Sequence, residues 1–405
     1  MNDHREIATA LDLFHFEEHS PGMVYWHPEG FKLYRTIEEY MRSMHEKYGY
    51  KEIRTPIMVN KSLWKLSGHW DKFQDNIFIA GEIGEVISDE LIYTDGQYVM
   101  SPMNCPNHIQ VYQKGTKSYK MLPDRLFEFG VVHRNEPSGS LAGIMRLRSF
   151  TQDDSHIHCT EDQILSETTN FINMLQEVYS KFGFNDVAVK LATRCEERIG
   201  DDASWDKAEK ALEDACIHLG LEYTINPGES AFYGPKLEFT LQDSLGRDWQ
   251  CGTIQIDFNM CERLGATYID ENGDKKHPVL IHHAVLGSLE RWVGVLLENS
   301  NGELPLWLAP TQVVVASITS DVNDYAEEKM VTLSGIGYRV ELDDRNEKIG
   351  KKIKDAQKRR IPYMLIVGKK EKENQMVNVR KLNGDQDDME LIDFIGSFVK
   401  STNER

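Results

Sequence analysis

The feature that most constrains this chain is a change of pattern at ELPLWLAPTQ (303–312), a stretch with two prolines. After it, strand and helix signals alternate in the order βαβαββα, from QVVVASIT through to DMELIDFIGSFVK. Such alternation predicts a small α/β domain with a mixed sheet. We therefore predict one domain over 1–309 and a second over 310–405.

The first 309 residues follow a different pattern. Apolar residues at 34, 37, 41, 44 and 48 have the spacing of an amphipathic helix, which ends at Gly49. Strand signals separated by turns and helices recur later, at 126–133, 144–158, 236–242 and 249–258. Clustered strands with flanking helices predict an α+β domain built on an antiparallel sheet.

The composition excludes several classes of protein. Apolar residues make up 40% and charged residues 27% of the chain, as in ordinary globular proteins. No apolar run approaches the roughly 18–20 residues of a membrane span, and the charged start lacks a signal-peptide core. The six cysteines have no CxxC spacing, which indicates a reducing compartment. We therefore expect a cytoplasmic protein that does not associate with membranes.

The net charge of −19 is unevenly distributed. Acidic and basic residues balance within 311–405, so all of the net negative charge lies before residue 311. The stretch 345–360 has eight basic residues and two acidic ones. A basic stripe on an acidic protein is compatible with nucleic-acid contact. On composition alone, a solvated helix face is the better explanation.

The stretch FTQDDSHIHC (150–159) is dense in titratable groups. Because alternate residues of a strand share a face, Gln152, Asp154 and His156 point one way, and His158 continues that face. Asp153, Ser155 and Cys159 point the other way. By itself the stretch is compatible with a metal site, a set of catalytic carboxylates or a polar loop.

A second group of charged residues lies around the turn-rich segment NEPSGSLAG, between two strand-like runs. Arg134 and Glu136 stand at its start, and Arg146 and Arg148 follow on the returning strand. A guanidinium is planar, permanently charged and multidentate, so this arrangement suits a nucleotide phosphate. Glu136 could accept from an amine such as that of adenine. A single arginine is more often part of a surface ion pair, but the joint pattern favours a ligand.

The segment LGSLERWVGVLLEN places a glycine before Arg291 and an apolar helix. Glycine permits a close backbone approach to a ligand, and the arginine can lie over a base or a phosphate.

At these positions the sequence resembles a known family. The TP at 55–56, the RNEPSGS loop and the GSLERW segment are similar to the three signature motifs of class II aminoacyl-tRNA synthetases. Further segments resemble the threonyl-tRNA synthetases in the family's order: HWDKF (69–73), SPMNCPNHI (101–109), FTQDDSHI (150–157), FYGPK (232–236), QCGTIQIDF (250–258) and RNEKIG (345–350). The resemblance extends from about residue 3 over nearly the whole chain. It implies an antiparallel catalytic sheet flanked by helices, followed by a small α/β anticodon-binding domain with a mixed sheet.

The resemblance also implies a metal site. It assigns Cys105, His156 and His282 as the ligands of one zinc ion per chain, and of the neighbours His282 and His283 only the first aligns with the family ligand. Three protein ligands leave a coordination position for substrate. Asp154 would then pair with the substrate ammonium. A zinc ion that binds both amine and hydroxyl would separate threonine from valine, which an apolar pocket does poorly.

Other roles follow from the same resemblance. ATP, carried with Mg²⁺, would contact Arg134 at the α-phosphate, Glu136 at the adenine, and then Arg146, Gln250 and Arg291. The amino-acid pocket would be completed by Met103, Gln152, Tyr233, Lys236 and Gln255. Arg134, Arg291 and His69 would be catalytic, with His69 acting in transfer to the tRNA 3′ end. Anticodon contacts would come from Asn346, Lys348, Glu371 and Arg380, and Lys351 and Lys352 of the basic stripe would add charge. For the anticodon positions, ordinary surface polarity is an open alternative.

The implied function is that of a homodimeric threonine–tRNA ligase, with the first motif at the dimer interface. Its partners would be threonine, ATP and threonine-specific tRNA. One alternative is a synthetase-like binding protein without catalysis, which should lose ATP-binding arginines, although Arg134 and Arg291 are both present. Another is a ligase for serine or proline. The predicted zinc ligands argue against both alternatives.

Two segments depart from the pattern or imitate a site. AGEIGEVISDELIYTDGQYV (80–99) is longer than in some family members and predicts a polar hairpin insertion. HFEEH (15–19) has the HxxxH spacing of a metal site, but no third ligand is apparent, so we interpret it as a surface pair. The chain begins where the family's catalytic part begins. We therefore expect it to lack the N-terminal editing region of full-length bacterial members.

Overall fold

The structure is a computed structural model. It describes residues 3–80, 83–87, 90–93, 97–243 and 245–403. None of the helices in these ranges is long and apolar enough to cross a membrane.

The chain folds into two units. The smaller unit comprises Met1–His15, Tyr25–Ile37 and Leu296–Arg405, and the larger unit comprises Phe16–Val24 and Glu38–Val295. The predicted boundary between 309 and 310 stays a prediction.

The α-helices of the described residues are, in chain order, α1 His4–Leu11, α2 Pro28–Lys47, α3 Lys61–Ser67, α4 His69–Lys72, α5 Cys105–Tyr112, α6 Ile164–Phe182, α7 Asp202–Leu219, α8 Met260–Arg263, α9 Leu289–Asn299, α10 Asn323–Gly335, α11 Ile349–Lys358, α12 Lys369–Asn374 and α13 Leu391–Asn403.

The strands of the same residues are β1 Phe14–His15, β2 Tyr25–Trp26, β3 Lys51–Glu52, β4 Met58–Asn60, β5 Phe78–Ala80, β6 Ile83–Ile87, β7 Glu90–Tyr93, β8 Tyr98–Met100, β9 Asp124–His133, β10 Ser149–Cys159, β11 Ala188–Ala192, β12 Thr224–Asn226, β13 Lys236–Gln242, β14 Asp248–Asp257, β15 Tyr268–Ile269, β16 Lys275–Lys276, β17 Val279–Ser288, β18 Val313–Ser317, β19 Val340–Asp343, β20 Tyr363–Val367, β21 Met376–Lys381 and β22 Gln386–Glu390.

The larger unit is built on an eight-stranded sheet in the order β12-β11-β13-β14-β17-β10-β9-β3. All neighbours run antiparallel except the two outermost pairs, which are parallel. This confirms the predicted antiparallel sheet of an α+β domain. In the centre, His282 of β17 lies opposite His156 of β10 on one side and Gln255 of β14 on the other. The register therefore brings three predicted site residues into one row.

Strand β17 is the most buried element of the sheet, since nine of its ten residues are buried. It has a strand partner on each side, and α6 packs against it. A strand covered in this way requires a nearly continuous apolar run, and VLIHHAVL supplies one that only the two histidines interrupt. Polar side chains in such a strand need dedicated partners.

The insertion between His69 and Cys105 contains a hairpin, as predicted. Strands β6 and β7 pair antiparallel, with Ile83 opposite Tyr93 and Ile87 opposite Glu90. The connecting residues 88–89 lie outside the described residues.

The smaller unit contains a five-stranded mixed sheet in the order β19-β18-β20-β21-β22. The first three strands are parallel and the last two join antiparallel, which confirms the predicted mixed sheet. Because residues alternate between faces, Val313 and Val315 of β18 belong to one apolar cluster while Val314 and Ala316 belong to another. The structure adds α12 and β22 to the predicted order. Strand β22 has no buried residue, so it lacks the apolar alternation that marks a strand.

Candidate active site

Three potential metal ligands converge in the larger unit. Cys105 is the first residue of α5, and His156 and His282 come from the adjacent strands β10 and β17. One ligand atom from each lies within 4.8 Å of the others. His156 Nε2 is 3.0 Å from His282 Nδ1. All three side chains are buried, and burial lowers the pKa of His156 and raises the pKa of the Cys105 thiol.

The chemistry of this donor set fits zinc. One sulfur and two imidazole nitrogens are typical zinc ligands, and a site with three protein ligands keeps a position for substrate. The nitrogen of each imidazole that points away from the other ligands has its own partner, as is usual for metal-bound histidine. His282 Nε2 lies 3.1 Å from Asp257 Oδ2, and His156 Nδ1 lies 2.9 Å from His108 Nδ1.

The three ligands lie at the wall of a cavity of about 240 Å³. Its lining includes every residue predicted for the amino acid and for the metal: Met103, Cys105, Gln152, Asp154, His156, Tyr233, Lys236, Gln255 and His282. It also includes Arg134 and Gln250, which were predicted for ATP. Four lining residues were not predicted: Ala231, Thr253, His283 and Ala284. Tyr233 stacks on His282 with 4.7 Å between the ring centroids. Residues from four strands, from helix α5 and from the connecting loops thus share one small polar space.

Asp154 is the cavity's carboxylate beside the metal ligands. Its Oδ2 accepts a 3.0 Å hydrogen bond from Asn104 Nδ2, and burial raises its pKa. Asn104 packs directly on Gly130 of β9, where a Cβ atom would lie 2.2 Å from Asn104 Nδ2. A glycine is therefore needed at this point for Asn104 to reach Asp154. Before the structure, only its place beside Cys105 pointed to Asn104.

Arg134 is a half-buried cation at the cavity wall. Its Nε donates to Pro102 O at 3.1 Å, and the guanidinium lies over the rings of Phe73 and Phe150, 5.7 and 5.2 Å from the centroids. Burial lowers its pKa, but an arginine stays charged. No carboxylate among the described residues forms an ion pair with it. The site therefore presents a positive charge to any anion that enters.

Three further residues predicted for ATP lie around this group. Arg291 donates from Nη1 to Gln250 O at 2.6 Å and from Nε to Met145 O at 2.8 Å, and it lies over the Trp249 ring. Arg146 and Glu136 form an ion pair at 2.8 Å. The charged groups of Arg146 and Glu136 are therefore paired with each other in this structure.

His69 lies beside the metal ligands, behind the cavity wall. Its Nδ1 is 2.8 Å from Ser67 Oγ, and its Nε2 is 3.3 Å from Met103 Sδ and 3.6 Å from Cys105 Sγ. Burial lowers its pKa to about 3, so the imidazole is neutral. His69 is thus a third imidazole near the Cys105 thiol, besides those of His156 and His282.

The residues predicted for the anticodon all belong to the smaller unit. Asn346 and Lys348 are exposed at the start of α11, whereas Arg380 is half-buried and Glu371 Oε2 accepts from the Gly368 N–H.

The prediction for Lys352 was wrong. Its side chain is buried, and its ammonium donates to Ser317 O at 2.9 Å and Asp343 O at 2.8 Å. The basic stripe is therefore only partly available to a ligand.

Two family models match the chain. The tRNA synthetase class II core domain (G, H, P, S and T) matches residues 89–300, and an anticodon binding domain matches residues 312–401. The threonine–tRNA ligase of Alkalilimnicola ehrlichii is 53% identical over 394 residues, which are 97% of this chain and 60% of that protein. The chain thus spans about 60% of the length of the curated relatives it matches.

Two solved structures are similar over their whole length. The crystal structure titled as the RNA binding domain of threonyl-tRNA synthetase from Cryptosporidium parvum Iowa II has a TM-score of 0.91 and 36% identity, and the match covers 99% of this chain and 98% of that one. A putative threonyl-tRNA synthetase, ThrRS-1, from Aeropyrum pernix has a TM-score of 0.80 and 26% identity, with 100% and 95% covered. The chain therefore belongs to the class II aminoacyl-tRNA synthetases, in the threonyl-tRNA synthetase family.

Proposed function

We propose that this chain is a threonine–tRNA ligase that activates threonine with ATP and transfers it to the 3′ end of threonine-specific tRNA. The observation that carries the proposal is the convergence of a thiol, two imidazoles, the Asp154 carboxylate and the Arg134 guanidinium on one cavity. An amino acid needs partners for its ammonium and side chain, and ATP needs a cation at its α-phosphate. The cavity offers all of these partners.

Cys105, His156 and His282 would hold one zinc ion per chain. When bound, zinc supplies Lewis-acid ligation of the threonine amine and hydroxyl. Asp154, kept in place by Asn104, would accept a hydrogen bond from an N–H of the substrate amine. Met103, Gln152, Tyr233, Lys236 and Gln255 would enclose the rest of the amino acid, because they line the same cavity.

In the first step a threonine carboxylate oxygen forms a bond to the ATP α-phosphorus while the bond to the β-phosphate bridging oxygen breaks, and pyrophosphate leaves. Arg134 and Arg291 would stabilise the charge that develops on the phosphate oxygens, and Mg²⁺ would accompany ATP. Gln250, whose backbone Arg291 holds, would line the nucleotide side. Arg146 would turn from Glu136 to the distal phosphates, which leaves Glu136 free to accept from the adenine amine.

In the second step a hydroxyl of the terminal tRNA ribose attacks the threonyl carbonyl and AMP leaves. His69 would act in this transfer from behind the cavity wall, where it contacts Met103 and Cys105. Asn346, Lys348, Glu371 and Arg380 of the 310–405 domain would contact the anticodon, and the 1–309 domain would carry the chemistry. The active form would be a homodimer.

Pyrophosphate exchange measured with each of the twenty amino acids tests the function. We expect exchange with threonine well above the others, and no threonine-dependent exchange would contradict the proposal. Elemental analysis tests the metal. We expect one zinc per chain, lost in Cys105→Ala and retained in the control Cys216→Ala, which changes a buried cysteine of α7. Full zinc content in Cys105→Ala would remove that ligand assignment.

A further inference from the structure

Each histidine ligand of the candidate metal site is backed by a carboxylate. His282 reaches its carboxylate directly, through the 3.1 Å contact with Asp257. His156 reaches one through a second histidine: His108 Nδ1 is 2.9 Å from His156 Nδ1, and His108 Nε2 is 3.1 Å from Glu128 Oε2. We call the latter path the Glu128–His108–His156 relay. Its three residues are at most 4% exposed, so water does not compete for these contacts.

Glu128 accepts every hydrogen bond it makes. The Thr55 N–H donates to Oε1 at 2.6 Å, and the Thr55 hydroxyl donates to Oε2 at 2.8 Å. Burial disfavours the charge, but the donors on His108 and Thr55 outweigh it and hold the pKa of Glu128 below its ordinary value. Glu128 is thus an ionised group without a proton to donate.

This fixes the position of each proton along the relay. Because Glu128 only accepts, His108 donates from Nε2–H, and a ring that carries this single proton accepts at Nδ1. His156 must therefore carry its proton on Nδ1, which leaves its Nε2 lone pair free. That lone pair faces His282 Nδ1, which is itself left free because His282 Nε2–H donates to Asp257. Both free lone pairs point to the space that the ligand atoms share.

We propose that Glu128, acting through His108, is a positioning residue that holds His156 in the tautomer whose Nε2 binds the metal. The inference rests on the proposed function, because the metal is the one proposed for that site. Without the relay, His156 would divide its proton between both nitrogens, and only part of the population could bind. The contact between Thr55 and Glu128 also ties the relay to the TP segment at 55–56.

Glu128→Gln reverses the direction of the hydrogen bonds along the relay, although the side chain keeps nearly the same shape. The Thr55 N–H requires an acceptor, so the new amide turns its oxygen to Thr55 and its NH₂ to His108. His108 must then accept at Nε2 and donate from Nδ1, which forces the His156 proton onto Nε2. Loss of such an orienting partner typically lowers metal affinity about 10- to 100-fold. We expect a loss of that size in zinc affinity.

The full 405-residue chain would be titrated with zinc against a chromophoric chelator, and separately with cobalt to record the ligand-field bands. Thr55→Val is the matched control: it removes one hydrogen bond to the same carboxylate and leaves the acceptor for His108. Glu128→Gln should lose about 10- to 100-fold in zinc affinity and shift the cobalt bands, while Thr55→Val should match the wild type. His108→Phe removes the acceptor for His156 in a ring of similar size and serves if Glu128→Gln does not fold.

The outcomes separate the two proposals. Wild-type zinc affinity and an unchanged cobalt spectrum in folded Glu128→Gln or His108→Phe would overturn the relay, while loss of zinc in Cys105→Ala would still support the metal site. Equal losses in Glu128→Gln and Thr55→Val would also overturn it, since the effect would then be general loosening. A wild-type chain that binds no zinc would contradict both proposals.

Discussion

The contact between Gly130 and Asn104 allows a quantitative test of how the cavity holds Asp154, the carboxylate proposed to bind the substrate. Gly130 lies in β9 opposite Gln152, in an extended conformation that alanine also adopts. Gly130→Ala is therefore a purely steric change. The new Cβ would lie 2.2 Å from Asn104 Nδ2 and 2.7 Å from its Cγ, so the amide must move. Its 3.0 Å hydrogen bond to Asp154 is then lost.

A hydrogen bond to a charged group contributes about 1.5–3 kcal/mol. Because Asp154 would hold the threonine amine, we expect kcat/KM for threonine in pyrophosphate exchange to fall about 10- to 150-fold, at 1.4 kcal/mol per tenfold. Gly335→Ala in α10 is the control, since a Cβ there meets nothing within 4 Å.

The mechanism predicts strong non-additivity. In the Asn104→Ala background the space next to residue 130 is empty, so adding Gly130→Ala should cost little more. Groups that act through one contact show such coupling in a double-mutant cycle. Two effects that simply add, or a Gly130→Ala enzyme with wild-type kinetics, would refute the reasoning that Asn104 acts on Asp154 by hydrogen bonding.

Three further predictions concern substrates. Arg134→Ala should lower adenylate formation about 10²- to 10³-fold with an unchanged circular dichroism spectrum, by analogy with loss of an oxyanion donor; near-normal pyrophosphate exchange would contradict its role. Serine, which lacks only a methyl group, should be activated about 10- to 200-fold less efficiently than threonine, and valine about 10⁴- to 10⁵-fold less; equal rejection of both would argue against hydroxyl ligation. Lys348→Ala and Arg380→Ala should each lower the salt slope of tRNA affinity by roughly one unit, and unchanged slopes would leave the stripe a solvated helix face.

The elements that could be predicted from the sequence are those with a regular apolar spacing. The helix inferred from positions 34 to 48 is α2, Pro28–Lys47, and the strand inferred at 126–133 is β9. The strand expected from 144 begins only at Ser149. Ile144 and Met145 are buried in the preceding loop, so their apolar character reflects packing rather than strand periodicity.

The residues of the site likewise divide into those that could be predicted from the sequence and those that could not. Residues inside family motifs could be assigned by resemblance, and the structure brings most of them to one cavity. The residues behind the ligands could not be assigned in this way. Glu128, His108 and His156 are 20 and 48 residues apart in sequence, and they meet only where α5 lies against β9 and β10. Asp257 ends β14 and gives no local signal of its contact with His282. Partners of this kind become visible only when the sheet is assembled.

The position of β17 in the middle of the eight-stranded sheet has a consequence for how a metal would leave the site. His156 and His282 lie on strands paired on both sides, and backbone amides in such strands exchange with solvent only in rare, large openings. Cys105 lies at the first turn of α5, outside any strand ladder, where local fraying requires much less free energy. Release should therefore begin at the thiol, and its rate should follow amide exchange of the first turn of α5 rather than that of β17.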